Sequence, residues 1–143
     1  MQKLTAVILA SGEGSRLKSL SDQLSLPKHL FPIGDSSIIE RSLKELKKEC
    51  DEIICITKED QIELYRNKLG DGVKIIKKDG PGFFGDLQTA LNAAQNDRII
   101  LTVGDLIFSP DAIVEFINKS ASNKKQILLG LDRDGMKRLM FPT

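Results

Sequence analysis

Residues Leu4–Arg16 read LTAVILASGEGSR, and the rest of the chain can be laid out from them. Leu4 to Ala10 is an almost unbroken apolar run, too short for a helix, of the kind a strand buried on both faces of a parallel sheet requires. Ser11-Gly12-Glu13-Gly14-Ser15 follows, and then a cation, Arg16. Glycines at a strand end let the backbone turn tightly and approach a ligand without a Cβ in the way. Successive N–H groups in such a turn form a concave anion site. The stretch therefore reads as a phosphate-binding loop. An ordinary strand and turn with chance glycines is the competing reading of these residues alone.

Working outward, the 143 residues are 41% apolar, enough for one domain with its own core. Lys and Arg number 21 against 20 Asp and Glu, a balance unsuited to nucleic-acid backbones or anionic membrane surfaces. There is no Trp, one Tyr and six Phe, so aromatic stacking platforms are few. Cys50 and Cys55 have four residues between them, the spacing of neither a redox pair nor a metal quartet. They read as structural thiols of a reducing, cytoplasmic compartment. No apolar run reaches the length of a membrane span, and the first apolar run is too short for a secretion signal.

Further along, Leu17 to Leu26 reads as irregular and polar, and Pro27 and Pro32 forbid a long helix between them. A helix is expected from about Ser37 to Cys50, with Ile39, Leu43, Leu46 and Cys50 on one face. Glu52 to Thr57 is a second strand. A helix from Glu59 to Leu69 buries Ile62, Tyr65 and Leu69 and ends at Gly70. Val73 to Lys77 is a third strand. Lys78 to Gly85 reads as a glycine-rich loop, followed by a helix from about Asp86 to Gln95 with Leu87, Ala90, Leu91 and Ala94 inward. Arg98 to Val103 is a fourth strand, ending in Gly104-Asp105. Ser109 and Pro110 open another helix, as N-cap and first helical residue. Gln126 to Leu131 reads as a fifth strand. Strands alternating with helices in this way predict an α/β fold, three-layered α/β/α, with a mainly parallel, doubly wound sheet.

In such sheets ligands bind beyond the carboxyl ends of the strands, where strand order reverses. Two polar features fall at strand ends here, the Gly12/Gly14/Arg16 loop and Asp105. If their strands are neighbours, an anion loop and a carboxylate face one crevice. A shared Mg²⁺ reconciles them, because it takes one or two carboxylates together with phosphate oxygens. The alternative for Asp105 is a turn or cap residue. The loop lacks the GxxxxGK[ST] of a P-loop, and the dinucleotide pattern GxGxxG fails at Leu17, with no helix opening directly after it.

A different pattern fits better. Leu9 to Leu17 resembles the LAAGxGTRL loop of the sugar-phosphate nucleotidyltransferases, and Pro27-Lys28-His29-Leu30-Phe31-Pro32-Ile33 resembles their PKxLxPI segment. Gly85-Asp86-Leu87-Gln88-Thr89-Ala90-Leu91 is similar to their second glycine loop and its helix, and Thr102-Val103-Gly104-Asp105 to the strand that ends in their metal-binding Gly-Asp. The segments occur in the family's order over most of the chain. Ser15 replaces the usual Thr, and the Arg16 to Pro27 interval is longer than usual and lacks a proline. The family's members are commonly longer. The resemblance therefore implies that residues 1–143 form a Rossmann-like nucleotide-binding domain, the N-terminal part of a longer catalytic domain.

The resemblance implies transfer of NMP from an NTP to a sugar 1-phosphate or similar phosphorylated acceptor, with release of pyrophosphate. It implies Arg16, Lys28 and Asp105 as catalytic residues and Asp105 as the Mg²⁺ ligand. Leu9, Ala10, Ser11, Gly12, Glu13, Gly14 and Ser15 would bind the nucleotide, together with Gly82, Gly85 and Asp86, where Asp86 reads equally well as a helix N-cap. His29, without an identifiable partner, is given no catalytic part. Two alternatives stand beside this. One is guanylyl transfer to a phosphorylated cofactor precursor; its molybdopterin branch is disfavoured, since Lys28 follows Arg16 by 12 residues and that branch keeps the lysine closer. The other is a nucleotide-binding domain without catalysis. Partners expected are small molecules, neither nucleic acid nor membrane, with homo-oligomer formation left open.

Overall fold

A computed structural model describes residues 3–122 of the chain. In chain order the elements are β1 (Leu4–Leu9), α1 (Lys18–Leu24), β2 (Pro32–Ile33), β3 (Ser36–Ser37), α2 (Ile38–Glu49), β4 (Glu52–Thr57), α3 (Ile62–Leu69), β5 (Lys74–Lys77), α4 (Gly82–Ala93), β6 (Arg98–Val103) and α5 (Pro110–Ala121). Short 3-10 turns occupy Ser15–Leu17, Lys28–Leu30 and Glu59–Gln61. The chain divides into two compact units, one ending at Phe108 and one starting at Ser109. In the second unit, α5 has the expected start: Pro110 stands at its first position and the Ser109 hydroxyl accepts from the Ala112 N–H at 3.3 Å.

The first unit is built on a parallel sheet in the order β5-β4-β1-β6. Every residue of β1 is buried, as its apolar run demands. Val7 and Leu9, with Ile54, Ile56 and Ala90, form the core between the sheet and α4. Successive side chains of a strand face opposite ways, so Ala6, Ile8, Ile53 and Cys55 belong to the other face. The crossovers explain why both faces are covered. From β1 the chain steps through β4 to β5 in one direction, and then returns past β1 to β6. Right-handed crossovers place α2 and α3 on one face and α4 on the other. The reversal falls between β1 and β6, which makes the carboxyl end of that pair the topological switch point.

The doubly wound α/β expectation is therefore met, and the helix over Ser37 to Cys50 lies where it was expected. The Glu40 carboxylate accepts from both the N–H (2.7 Å) and the hydroxyl (2.5 Å) of Ser37 at its start. Several local expectations need correction. Leu17 to Leu26 is not irregular: a 3-10 turn leads directly into α1, so a helix does open after the glycine loop. Its apolar stripe, Leu17, Leu20 and Leu24, has helical spacing but stays 40–44% exposed, so no burial pattern marked it. The second helix after a glycine loop begins at Gly82, not Asp86, because packing overrides the poor helix propensity of Gly82 and Gly85. That shift places Asp86 inside α4 rather than at an N-cap. It also turns Gly85, Asp86, Thr89 and Ala90 inward and leaves Leu91 56% exposed. The expected fifth strand over Gln126 to Leu131 lies outside the described residues.

Candidate active site at the switch point

At the carboxyl end of β1 the chain is held on both sides. Ala10 N–H donates to the Ile56 carbonyl at 2.8 Å, and Gly104 N–H donates to the Leu9 carbonyl at 2.8 Å. The glycine loop and the β6 end are thereby tied side by side. Gly14 adopts φ 63°, a left-handed conformation open to glycine, and this turns the chain into the Ser15–Leu17 turn that presents Arg16.

Lys28 reaches this loop from the turn after Pro27. Its side chain lies along Gly14, with Cδ 3.5 Å from where a Gly14 Cβ would stand, and its Nζ meets Asp105 Oδ2 at 2.5 Å. Burial alone would raise the Asp105 carboxyl, but the hydrogen bond and charge of Lys28 outweigh it and hold the group below the ordinary carboxylate range.

His29 is buried, with Nδ1 3.0 Å from the Tyr65 hydroxyl, which itself lies 3.5 Å from the Ala10 carbonyl. Burial, and then the charge of Lys28, push the imidazole down to about 4, so it is neutral at ordinary pH. A Cβ on Gly104 would stand 2.9 Å from His29 Cδ2. The histidine therefore has a partner and a structural place: it wedges the Lys28 turn beneath the end of β6. No sequence signal pointed to Tyr65 as that partner, because 36 residues separate them.

Two lobes of one open cleft meet at the Lys28–Asp105 pair, each about 530 Å³. The first is lined by Gly14, Ser15, Arg16 and Leu17. The second is lined by Leu9, Ser11, Gly12 and Glu13 from the loop and by Gly82, Phe83 and Asp86 from α4. Asp86 is tied to the loop by the Ser11 hydroxyl, which donates to Oδ2 at 2.7 Å. Glu13 pairs with Lys58 at 3.0 Å, whose hydrogen bond and charge lower its carboxyl. Of the residues expected at the site, Ala10 and Gly85 line neither lobe. Ala10 is buried in the sheet end. Gly85 packs on the 79–80 backbone, where a Cβ would stand 2.6 Å from the Gly80 carbonyl carbon. Lys78 and Phe83 also line the second lobe; Phe83 falls within the Gly82 to Asp86 stretch expected at the base, whereas Lys78 was not among the expected site residues.

The residues fit a hard divalent cation in one limited way. Asp105 offers a carboxylate at the junction of the lobes, and no cluster of three or more acidic, His or Cys ligands occurs among the described residues. That donor set suits a cation sharing its oxygens with a bound phosphate rather than one caged by protein alone.

Comparison with known proteins agrees with this architecture. The chain is 32% identical over 124 residues to the bifunctional protein GlmU of Methanococcus aeolicus, covering 84% of this chain and 29% of that protein. It is 27% identical over 128 residues to a Carboxydothermus hydrogenoformans protein named for molybdenum cofactor guanylyl transfer, covering 86% of this chain and 57% of the relative. A crystal structure from Bacillus anthracis, of a protein named for glucose-1-phosphate thymidylyl transfer, superposes with TM-score 0.66 at 28% identity over 80% of this chain and 50% of the other. The chain thus spans between under a third and somewhat over half the length of these proteins. Residues 6–141 match the family model of the MobA-like NTP transferase domain, and the chain belongs to that family of nucleotidyltransferases.

Proposed function

We propose that this chain binds an NTP across the β1–β6 switch point and transfers its NMP to a phosphorylated small molecule, a sugar 1-phosphate, with loss of pyrophosphate. We take residues 1–143 as one nucleotide-binding domain, the N-terminal part of a longer catalytic domain. The observation that carries the reading is the Lys28–Asp105 pair, 2.5 Å apart, standing where the two lobes of the cleft meet beside the glycine loop. A phosphate monoester is already an anionic nucleophile near neutral pH, so in-line attack on the α-phosphate needs no general base. Catalysis then consists of positioning and charge neutralisation.

The chain's own residues supply these. N–H groups of Gly12 to Ser15 hold the phosphates. Arg16 faces the leaving β- and γ-phosphates. Lys28 exchanges Asp105 for the α-phosphate or the acceptor phosphate as charge develops there. Asp105 would hold Mg²⁺, which adds charge neutralisation on the phosphate oxygens when bound. Leu9, Ser11, Gly82 and Asp86 form the lobe left for the base. The acceptor class is supported by the Bacillus anthracis protein named for glucose-1-phosphate thymidylyl transfer. No helix among the described residues is long and apolar enough to cross a membrane.

The test is pyrophosphate release from each NTP against a panel of sugar 1-phosphates. Release that depends on one acceptor supports the reading. Nucleotide binding by calorimetry with no release on any acceptor would instead mark a non-catalytic nucleotide-binding domain. A second reading, guanylyl transfer to a phosphorylated cofactor precursor, is favoured by the guanylyl-transfer relative that covers 86% of the chain, and adding such a precursor to the panel decides between them.

A further inference from the structure

The second lobe contains a feature that phosphate binding does not use. Asp86 is only 6% exposed, and its Oδ1 has no hydrogen-bond donor among the described residues. Ser11 holds the other oxygen at 2.7 Å. Lys78 Nζ stands 3.8 Å from Oδ1, near enough to balance charge but too far for a hydrogen bond. A buried acceptor without a donor is unfavourable, and in a native site it calls for a partner. A phosphate cannot be that partner, since it would bring negative charge against the carboxylate. The group that belongs here is neutral and rich in donors. Phe83, three residues before Asp86 on α4 and therefore on the same side, lines the same lobe and is 54% exposed. It meets Phe84 in a T-shaped contact with ring centroids 6.2 Å apart, so it brings aromatic surface to the lobe against which a base can pack.

We propose that Asp86 and Lys78 select guanine, so that the nucleotide this site takes is GTP. The inference rests on the nucleotidyl-transfer reading above. An ionised carboxylate is an acceptor at both oxygens, and an ammonium is a donor. Together they present one donor beside two acceptors. Guanine alone of the common bases offers the complement on its Watson–Crick edge: the O6 acceptor beside the N1–H and N2–H₂ donors. Uracil and thymine place one donor between two acceptors, so one carboxylate oxygen would face a carbonyl. Cytosine and adenine follow their amino donor with a ring acceptor, again against the carboxylate. Ser11 acts as a positioning residue, fixing the carboxylate rotamer from the glycine loop.

Calorimetric titration of the full 143-residue chain with Mg²⁺ and GTP, ITP, XTP, ATP, CTP and UTP tests this. GTP should bind tightest. ITP, which lacks the N2 amino group, should bind about 10-fold more weakly, and XTP, which replaces it with a carbonyl, about 100-fold more weakly. Asp86→Asn presents a donor beside an acceptor and should reverse the order of GTP and XTP. If that variant does not fold, the analogue series on the unaltered chain decides alone. Binding of all six nucleotides with similar affinity, or preference for another base, overturns guanine selection and leaves nucleotidyl transfer standing. Binding of no nucleotide overturns both.

Discussion

The Lys28 and Asp105 side chains neutralise one another at 2.5 Å, so under the proposed nucleotidyl transfer each should matter through charge rather than shape. Replacing either by Ala should lower turnover by about 10²-fold or more, the scale for loss of one electrostatic stabiliser. Steady-state pyrophosphate release measures this, and near-wild-type rates in either variant would remove that residue from the mechanism. His29 acts differently, through stability. Its folded value of about 4 lies below the unfolded 6.5, because the buried ring resists charging. Between those values the unfolded chain takes up a proton that the folded chain refuses. The contribution is therefore complete above about pH 6.5 and is lost as pH falls toward 4, to a total of about 3 kcal/mol. Urea unfolding at a series of pH values should show this slope, and His29→Gln should flatten it. An unchanged slope in the variant would assign the acid sensitivity elsewhere. Lys28 and Asp105 were legible from their neighbours in sequence, within PKHLFPI and TVGD. The place of His29 was not, since it exists only where Tyr65, Ala10 and Gly104 converge.

At the scale of elements, α4 is the informative case. Glycines at 80, 82 and 85 read as loop because glycine is a poor helix former. The helix nevertheless starts at Gly82, since Gly85 lets it press against the 79–80 backbone and the Thr89 hydroxyl accepts from the Asp79 N–H at 3.1 Å. Gly85→Ala would place a Cβ 2.6 Å from backbone that cannot swing aside, and should destabilise by about 1–3 kcal/mol. Gly104→Ala should fall in the same range, through the 2.9 Å approach to His29. The midpoint of urea unfolding reads both, and wild-type midpoints would show that these contacts yield easily. By contrast, α2 was legible in full. Its apolar face recurs at helical spacing, and Ser37 and Glu40 close its start with only local atoms.

At the scale of the molecule, the cleft joins segments far apart in the chain: the glycine loop, the Lys28 turn, the start of α4 and the end of β6. A ligand bridging them stabilises the folded state by mass action. GTP with Mg²⁺ at 100 times its dissociation constant should add about 2.7 kcal/mol and raise the unfolding temperature, with a smaller shift after chelation of the metal. A thermal melt unaffected by any NTP would place no nucleotide site in the cleft.

The amino-acid order by itself determined the four strands of the parallel sheet, most of the helices, the glycine loop and the charged residues at strand ends, because each is written in residues within a turn or a strand of one another. Only the tertiary structure decided that Lys28 meets Asp105 across 77 residues and that Ser11 holds Asp86 across 75. Those contacts follow from burying both faces of one sheet at once, which seats β6 against β1 and packs α4 on one face of the sheet. No local pattern records that choice, since burial is satisfied by the whole set of strands and not by any one of them.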